Sequence, residues 1–265
     1  MITKKLAVIL LLIILILMCT IYVTGFCRDN PKSSGSITVL AGTGTMLAMN
    51  DLKQNFEKEN PGATVNIQYG NSGELFAKLN TDKNVDAVVP GDINFMENAK
   101  NKGFIDNKTV HSIVYHIPII AVEKGNPKKI TSIADLSKPN IKVGLADKNS
   151  TAVGKLSIKM LNKSGLTDKV NSNVVVYTTT VNQLIPYLVS NKVDAIIITE
   201  DLAYNNSKID VVEIPKSENE IATIGIGITS FANNKELTKK FEKFIISNEG
   251  MNIWQNHGFK PVTNL

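Results

Sequence analysis

Ile37-Thr38-Val39-Leu40-Ala41-Gly42-Thr43-Gly44-Thr45-Met46 reads as a buried strand that runs through a small-residue turn into a helix. Apolar and β-branched residues favour the extended chain. Glycines at 42 and 44 let the backbone turn tightly, and Thr43 or Thr45 can cap the helix that follows. The first N–H groups of such a helix have no carbonyl partner. Together with the positive end of the helix dipole they make a seat for an anion, to which the Thr43 and Thr45 hydroxyls can add. One such turn is an ordinary structural device, and its recurrence along the chain is what gives it meaning.

Moving outward, residues 47–59 carry Met49, Leu52 and Phe56 at helical spacing, and Asn60-Pro61-Gly62 ends that helix. Residues 64–69 alternate as a second strand. Gly70-Asn71-Ser72-Gly73 then turns, with Ser72 or Asn71 as the cap, into a helix bearing Leu75, Phe76 and Leu79. Residues 85–89 read as a third strand, followed by Pro90-Gly91-Asp92 and a short helix through Phe95 and Met96. This βαβαβ order predicts a mostly parallel sheet. Residues 114–122 read as one long apolar strand interrupted by Pro118, which marks an edge strand or a crossing between lobes.

The second half repeats the device. A strand at 141–145 leads through Asp147, Ser150 and Thr151 into a helix at 152–161. A strand at 173–177 leads through Thr178-Thr179-Thr180 into Val181, with Thr180 and Gln183 at capping-box spacing. Pro186 should bend that helix. A strand at 193–198 meets Thr199-Glu200 and a short helix. Strands at 211–214 and 221–229 precede a helix pair within 235–256, with Leu237, Phe241, Phe244 and Ile245 on one face and Trp254 near the end. The expected fold is therefore α/β in two similar halves, before and after Pro118, each a mostly parallel sheet flanked by helices.

Composition narrows the function classes. The chain has 265 residues, 43% apolar, 20% charged and only 6% aromatic, so it can bury a large core but offers few stacking platforms for bases. Its net charge of +5 falls by two, to +3, when Lys4 and Lys5 leave with a leader, and the lysines are scattered among acids. No basic stripe calls for nucleic acid. Lys4 and Lys5 precede an apolar run at residues 6–26, broken only by Thr20, Thr24 and Gly25, which reads as an export signal or an uncleaved anchor. Positive charge before the run sends the rest of the chain outside the cytoplasm. The expected division is a signal or anchor with its tether at 1–35 and a folded part beyond. The two cysteines, Cys19 and Cys27, belong to the leader region, so the folded part has neither a disulfide nor a thiol nucleophile nor a Cys metal site. Val23-Thr24-Gly25-Phe26-Cys27 loosely resembles a lipoprotein box, with Phe26 where a small residue is expected, so a lipid on Cys27 is an alternative tether.

Catalytic patterns are missing. His111, His116 and His257 lack the spacing of a metal site. Gly42-Thr43-Gly44 followed by Leu47 does not complete a dinucleotide fingerprint, and there is neither a Gly-Lys-Ser phosphate loop nor a nucleophile elbow. The expectation is a protein that is not an enzyme and needs no cofactor or metal.

The succession Ile37-Thr38-Val39-Leu40-Ala41-Gly42, Asn71-Ser72-Gly73-Glu74-Leu75, Asp86-Ala87-Val88-Val89 and Lys102-Gly103-Phe104-Ile105-Asp106 resembles the molybdate/tungstate-binding proteins of ABC importers. So do Ala152-Val153-Gly154-Lys155, Leu161-Asn162-Lys163-Ser164-Gly165 and Trp254-Gln255-Asn256-His257-Gly258-Phe259. The likeness runs over residues 37–262. It implies a two-lobed periplasmic-binding fold of type II, with 36–118 plus 222–265 as one lobe, 119–221 as the other, and the ligand cleft between them. It also implies a monomer that carries a tetrahedral oxyanion, molybdate or tungstate, to a permease with its ATPase subunit. Carried over by position, the anion would be held by Thr43, Gly44, Thr45 and Ser72 from one lobe and by the main-chain N–H groups of Ala152 and Val181 from the other. Asn71, Thr151 and Thr199 stand at the same turns and complete the candidate set.

The family's fifth contact is a tyrosine hydroxyl, where this chain has Ile198 or Thr199. A branch of the family that completes an octahedral shell would need an acid near Ser150 or Ile198; none aligns, although Asp147 and Glu200 are close in sequence. Glu74, Glu200 or Asp201 are the acids that a hydrogen phosphate would need as acceptor, or else they complement helix dipoles. A phosphate or sulfate receptor on the same fold is one rival reading, and an extracytoplasmic anion-sensing domain is another.

Overall fold

A computed structural model describes residues 34–262. The expected leader, Cys27 and the tether up to residue 33 lie outside the described residues, and Gly35, the last residue assigned to the tether, instead begins the first strand. Among the described residues, no helix is long and apolar enough to cross a membrane.

The chain builds two sheets. β1 (Gly35–Gly42) lies between β2 (Ala63–Gly70) and β3 (Ala87–Val89), parallel to both. β10 (Ala222–Ile228) runs antiparallel between β3 and β4 (His111–His116), and β11 (Lys260–Pro261) closes that edge. Alternate residues of β1 serve two layers, as a strand covered on both faces requires. Ile37, Val39 and Ala41 pack with Met49, Leu52 and Phe56 of α1 (Met46–Glu59), with Phe241 of α8 (Lys235–Ile245) and with Trp254 of α9 (Asn248–Asn256). Leu40 faces the other way, onto α2 (Ser72–Thr81) and α3 (Phe95–Asn101). Buried Asp86 locks the base of this sheet: its carboxylate accepts from the N–H groups of Thr38 at 2.8 Å and Asn233 at 2.7 Å.

The second sheet has the order β7 (Val174–Thr178), β6 (Val143–Ala146), β8 (Ala195–Thr199), β5 (Pro118–Glu123), β9 (Ile209–Glu213). A single core holds it together, shared with α4 (Ala152–Lys163), α5 (Thr167–Asn171) and α6 (Leu184–Val189). A short α7 (Glu200–Ala203) follows β8 directly.

Both sheets are mixed, which corrects the expectation of mostly parallel ones. The reason is topological. β5 and β10 each enter their sheet from the other one, so they arrive from the cleft side and run against their neighbours. Residues 114–122 are not one strand. β4 ends at His116, the chain passes to the second sheet at Ile117, and Pro118 begins β5, where its missing N–H is tolerated although β5 lies between β8 and β9. The chain returns between β9 and β10. There the buried Asn219 side chain donates to the Pro118 carbonyl at 2.9 Å, tying the two crossings together. Pro186 falls in the first turn of α6, after a 3-10 turn at Val181–Gln183, a position where a missing N–H leaves few bonds unmade.

Candidate functional site

Four strand-to-helix turns meet in one place. From the first sheet come the turns after β1 and β2; from the second come those after β6 and β7. They enclose a cavity of about 30 Å³, roughly twice what one water needs and far below the room a nucleotide or a thiamin-sized ligand occupies. Thr43, Gly44, Asn71 and Ser72 line it on one side, and Thr151, Ala152 and Val181 on the other. Gly42 and Gly91 bring two turns so close that a β-carbon on Gly42 would stand 3.0 Å from the Gly91 nitrogen.

The donors differ in what remains free. Ser72 is the first residue of α2, and Asn71 is its cap: the Asn71 side chain accepts from Glu74 N at 2.9 Å, while Glu74 Oε2 accepts from Asn71 N at 2.8 Å. The Ser72 and Thr43 hydroxyls are left without a hydrogen bond among the described residues. Ala152 and Val153 open α4, and Val181 opens the 3-10 turn before α6, so their N–H groups have no carbonyl partner within the helix. Thr151 lines the cavity too, but its hydroxyl is committed, accepting from Gly154 N at 2.9 Å and donating to Asp147 O at 2.8 Å.

Two candidate residues lie elsewhere. Thr45 is fully buried and its hydroxyl donates to Gly42 O at 2.8 Å; it neither lines the cavity nor caps α1. The turn enters α1 through a 3-10 segment at Thr43–Thr45, which rotates that hydroxyl back toward the strand. Thr199 ends β8 fully buried and does not line the cavity. The acids are also committed. Asp147 accepts from Ser150 N, Ser150 Oγ and Asn149 N, each at 2.9 Å, and the Ser150 bonds hold its carboxyl below the usual range against the cost of burial. Glu200 accepts from Lys260 Nζ at 2.7 Å. No carboxylate and no lysine stands among the lining residues.

The two lobes touch across the cavity. Gly73 N donates to Ser150 O at 3.3 Å, Asn71 Nδ2 to Thr179 O at 3.4 Å, and Asn182 Nδ2 to Thr43 O at 3.3 Å. A wider cleft of about 690 Å³ shares Ser72 and Ala152 with the cavity and is lined by Phe76, Lys102, Lys155 and Lys159.

Residue types alone missed His116. Far from isolated, it lines the cavity from the end of β4, with Gly91 O on one ring nitrogen and Asp201 beyond the other. The available signal was position, two residues before Pro118 at the expected crossing. His111 and His257 are paired elsewhere, with Glu242 at 3.4 Å and Asp51 at 2.7 Å.

Two lobes, each opening helix starts onto a shared cavity, make a two-lobed periplasmic-binding fold of type II. The sequence from 37 to 260 matches the bacterial extracellular solute-binding protein family, and the chain belongs to it. Among its relatives, a putative binding protein of Haemophilus influenzae is 29% identical, the match covering 86% of this chain and 92% of that one. The molybdate-binding protein ModA of Mycobacterium tuberculosis is 23% identical, covering 87% of each. Of solved structures, the sulfate-binding protein SubI of the same organism superposes with a TM-score of 0.79 at 18% identity, covering 86% of this chain and 88% of that one. The periplasmic molybdate-binding protein of Azotobacter vinelandii gives 0.72 at 18% identity, covering 84% and 98%.

Proposed function

We propose that this solute-binding protein captures a tetrahedral oxyanion, molybdate or tungstate, and delivers it to an ABC permease with its ATPase subunit. The observation that carries the reading is the small cavity walled by hydroxyls and helix-start N–H groups from both lobes, with no carboxylate in its lining. Thr43, Gly44 and Ser72 supply donors from one side, Ala152 and Val181 from the other, and Asn71 and Thr151 hold two of the turns in shape.

A dianion leaving water needs donors aimed at its oxygens. Each hydrogen bond to a charged partner contributes about 1.5 to 3 kcal/mol, while micromolar binding requires about 8 kcal/mol. About six such donors therefore suffice once ordering costs are met. A wall rich in donors also discriminates: a fully ionised oxyanion asks for nothing else, whereas hydrogen phosphate brings a proton that needs an acceptor, and no carboxylate lines the cavity to take it. Because the donors come from both lobes, the anion favours the closed arrangement, and a permease that reads the closed shape receives only loaded protein. In this reading 36–118 with 222–265 moves as one body against 119–221. The protein acts as an extracytoplasmic monomer held at the membrane by its N-terminal segment or by a lipid on Cys27.

Thermal unfolding of the full chain with molybdate, tungstate, sulfate and phosphate tests the reading. An anion at one hundred times its dissociation constant should stabilise the fold by about 2.7 kcal/mol. We expect molybdate or tungstate to act at the lowest concentration, and no stabilisation by any of the four contradicts the proposal.

A further inference from the structure

His116 ends β4 where the chain leaves one lobe for the other, and its side chain is 3% exposed. Nδ1 stands 2.6 Å from the Gly91 carbonyl oxygen. A carbonyl only accepts, so Nδ1 carries a proton, and this fixes the tautomer. In the neutral ring Nε2 is then a bare lone pair. It becomes a donor only when the ring is an imidazolium. Nε2 is buried with no hydrogen-bond partner among the described residues, and it looks onto the cavity wall: a β-carbon placed on Gly44 would meet it at 3.7 Å.

Asp201 Oδ1 lies 3.8 Å from the same nitrogen, on a side chain 4% exposed. That is too long for a hydrogen bond but close for two charges in a poorly solvated setting. Burial pushes the Asp201 carboxyl up, and the His116 charge pulls it back. The other charged groups nearby are Glu200, next to Asp201, and Lys260, opposite Tyr115 on β11, and these two are joined to each other. Tyr115, adjacent in the chain, carries a phenol, and Gly44, Gly91, Val181 and Ala222, which also lie against or around the ring, do not titrate.

We propose that His116 is an anion contact: its ring takes up a proton from solvent as the anion enters, and Nε2–H donates to an anion oxygen while Asp201 serves as the buried counter-charge. The inference rests on the oxyanion reading above and adds a cationic, protonation-dependent donor to its neutral ones. No bond of the anion is made or broken. Anion and proton favour each other's binding, so in the complex the ring keeps its proton to higher pH than in the free protein. Affinity therefore falls as pH rises, by up to about tenfold per pH unit.

The test is calorimetric titration of the full chain with molybdate and with sulfate, which keep their charge between about pH 5 and about pH 8, the range in which imidazole titrates. Buffers of different ionisation heat count the protons. The proposal expects affinity to fall at least about tenfold across that range with uptake of up to one proton per anion. His116→Gln should bind more weakly at the acid end and lose the slope, while Asp201→Asn should move the fall to lower pH. Should His116→Gln not fold, the wild-type slope and proton count together with Asp201→Asn still decide. Binding that is flat with pH and takes up no proton overturns the role of His116 and leaves the oxyanion reading standing. A slope that survives in His116→Gln and vanishes in Asp201→Asn overturns it as well, by making the carboxyl the titrating group. No binding of either anion at any pH removes both proposals together.

Discussion

Ser72 and Thr45 are both small hydroxylated residues at strand-to-helix turns, yet only one has a hydroxyl to offer. Ser72 occupies the first turn of α2 behind a cap supplied by Asn71, so its own oxygen is uncommitted at the cavity. Thr45 sits two residues deeper, and its oxygen closes onto the Gly42 carbonyl. Replacing Ser72 with Ala should remove one hydrogen bond to the anion, worth about 1.5 to 3 kcal/mol, and weaken binding by about ten- to a hundredfold. Calorimetry on the variant checks this, and unchanged affinity would take Ser72 out of the site. At this scale the sequence was only partly readable. That Thr43, Ser72, Ala152 and Val181 stand at turns follows from local pattern. Which hydroxyl points outward depends on the helix type at each start, as the 3-10 entry to α1 demonstrates, and no pattern of residue types announces that. His116 was hidden for a different reason: its partners, Gly91 and Asp201, lie 25 and 85 positions away along the chain.

At the scale of the element, α4 carries the cleft side of the second lobe through a tight junction. Asp147 gathers Asn149 and Ser150, the Thr151 hydroxyl caps the helix at Gly154 N, and the helix begins so close to β6 that a β-carbon on Gly154 would collide with the Ala146 and Asp147 carbonyl oxygens. Gly154→Ala must therefore push the start of α4 away from β6. The expected result is a loss of stability of about 1 to 3 kcal/mol, as for other overpacked sites, with anion affinity falling in parallel because Ala152 and Val153 move with the helix. Denaturant unfolding and anion titration of the same variant check the pair of effects. Helices such as α1, α4 and α8 were legible because their apolar residues recur with helical period over many residues. The direction of β5 and β10 was not, since strand pairing is set by which distant segment lies alongside, and local alternation is the same for either direction. Short elements such as β11 and α5 carry too few residues to show a period.

For the whole molecule, the arrangement of the lobes matters more than either lobe alone. Each lobe presents its helix starts on one edge, where free N–H groups would otherwise face water. The crossings at Ile117 and between β9 and β10, linked by Asn219 and Pro118, set those edges opposite each other. Among the described residues three neutral hydrogen bonds cross the cleft, and the Lys260–Glu200 ion pair joins the lobes beside the crossing at Ile117. Neutral bonds of this kind contribute about 0.5 to 1.5 kcal/mol each and a largely exposed ion pair about 0 to 1 kcal/mol, and a multivalent anion between the lobes is suited to add to them. The most direct test of that claim is to crystallise the protein with tungstate and locate the metal by anomalous scattering. The account predicts a single strong peak in the small cavity, within hydrogen-bonding reach of the Thr43 and Ser72 hydroxyls on one side and the Ala152 and Val181 N–H groups on the other. A peak confined to the wider cleft by Lys155 and Lys159, or no peak at saturating tungstate, would contradict it.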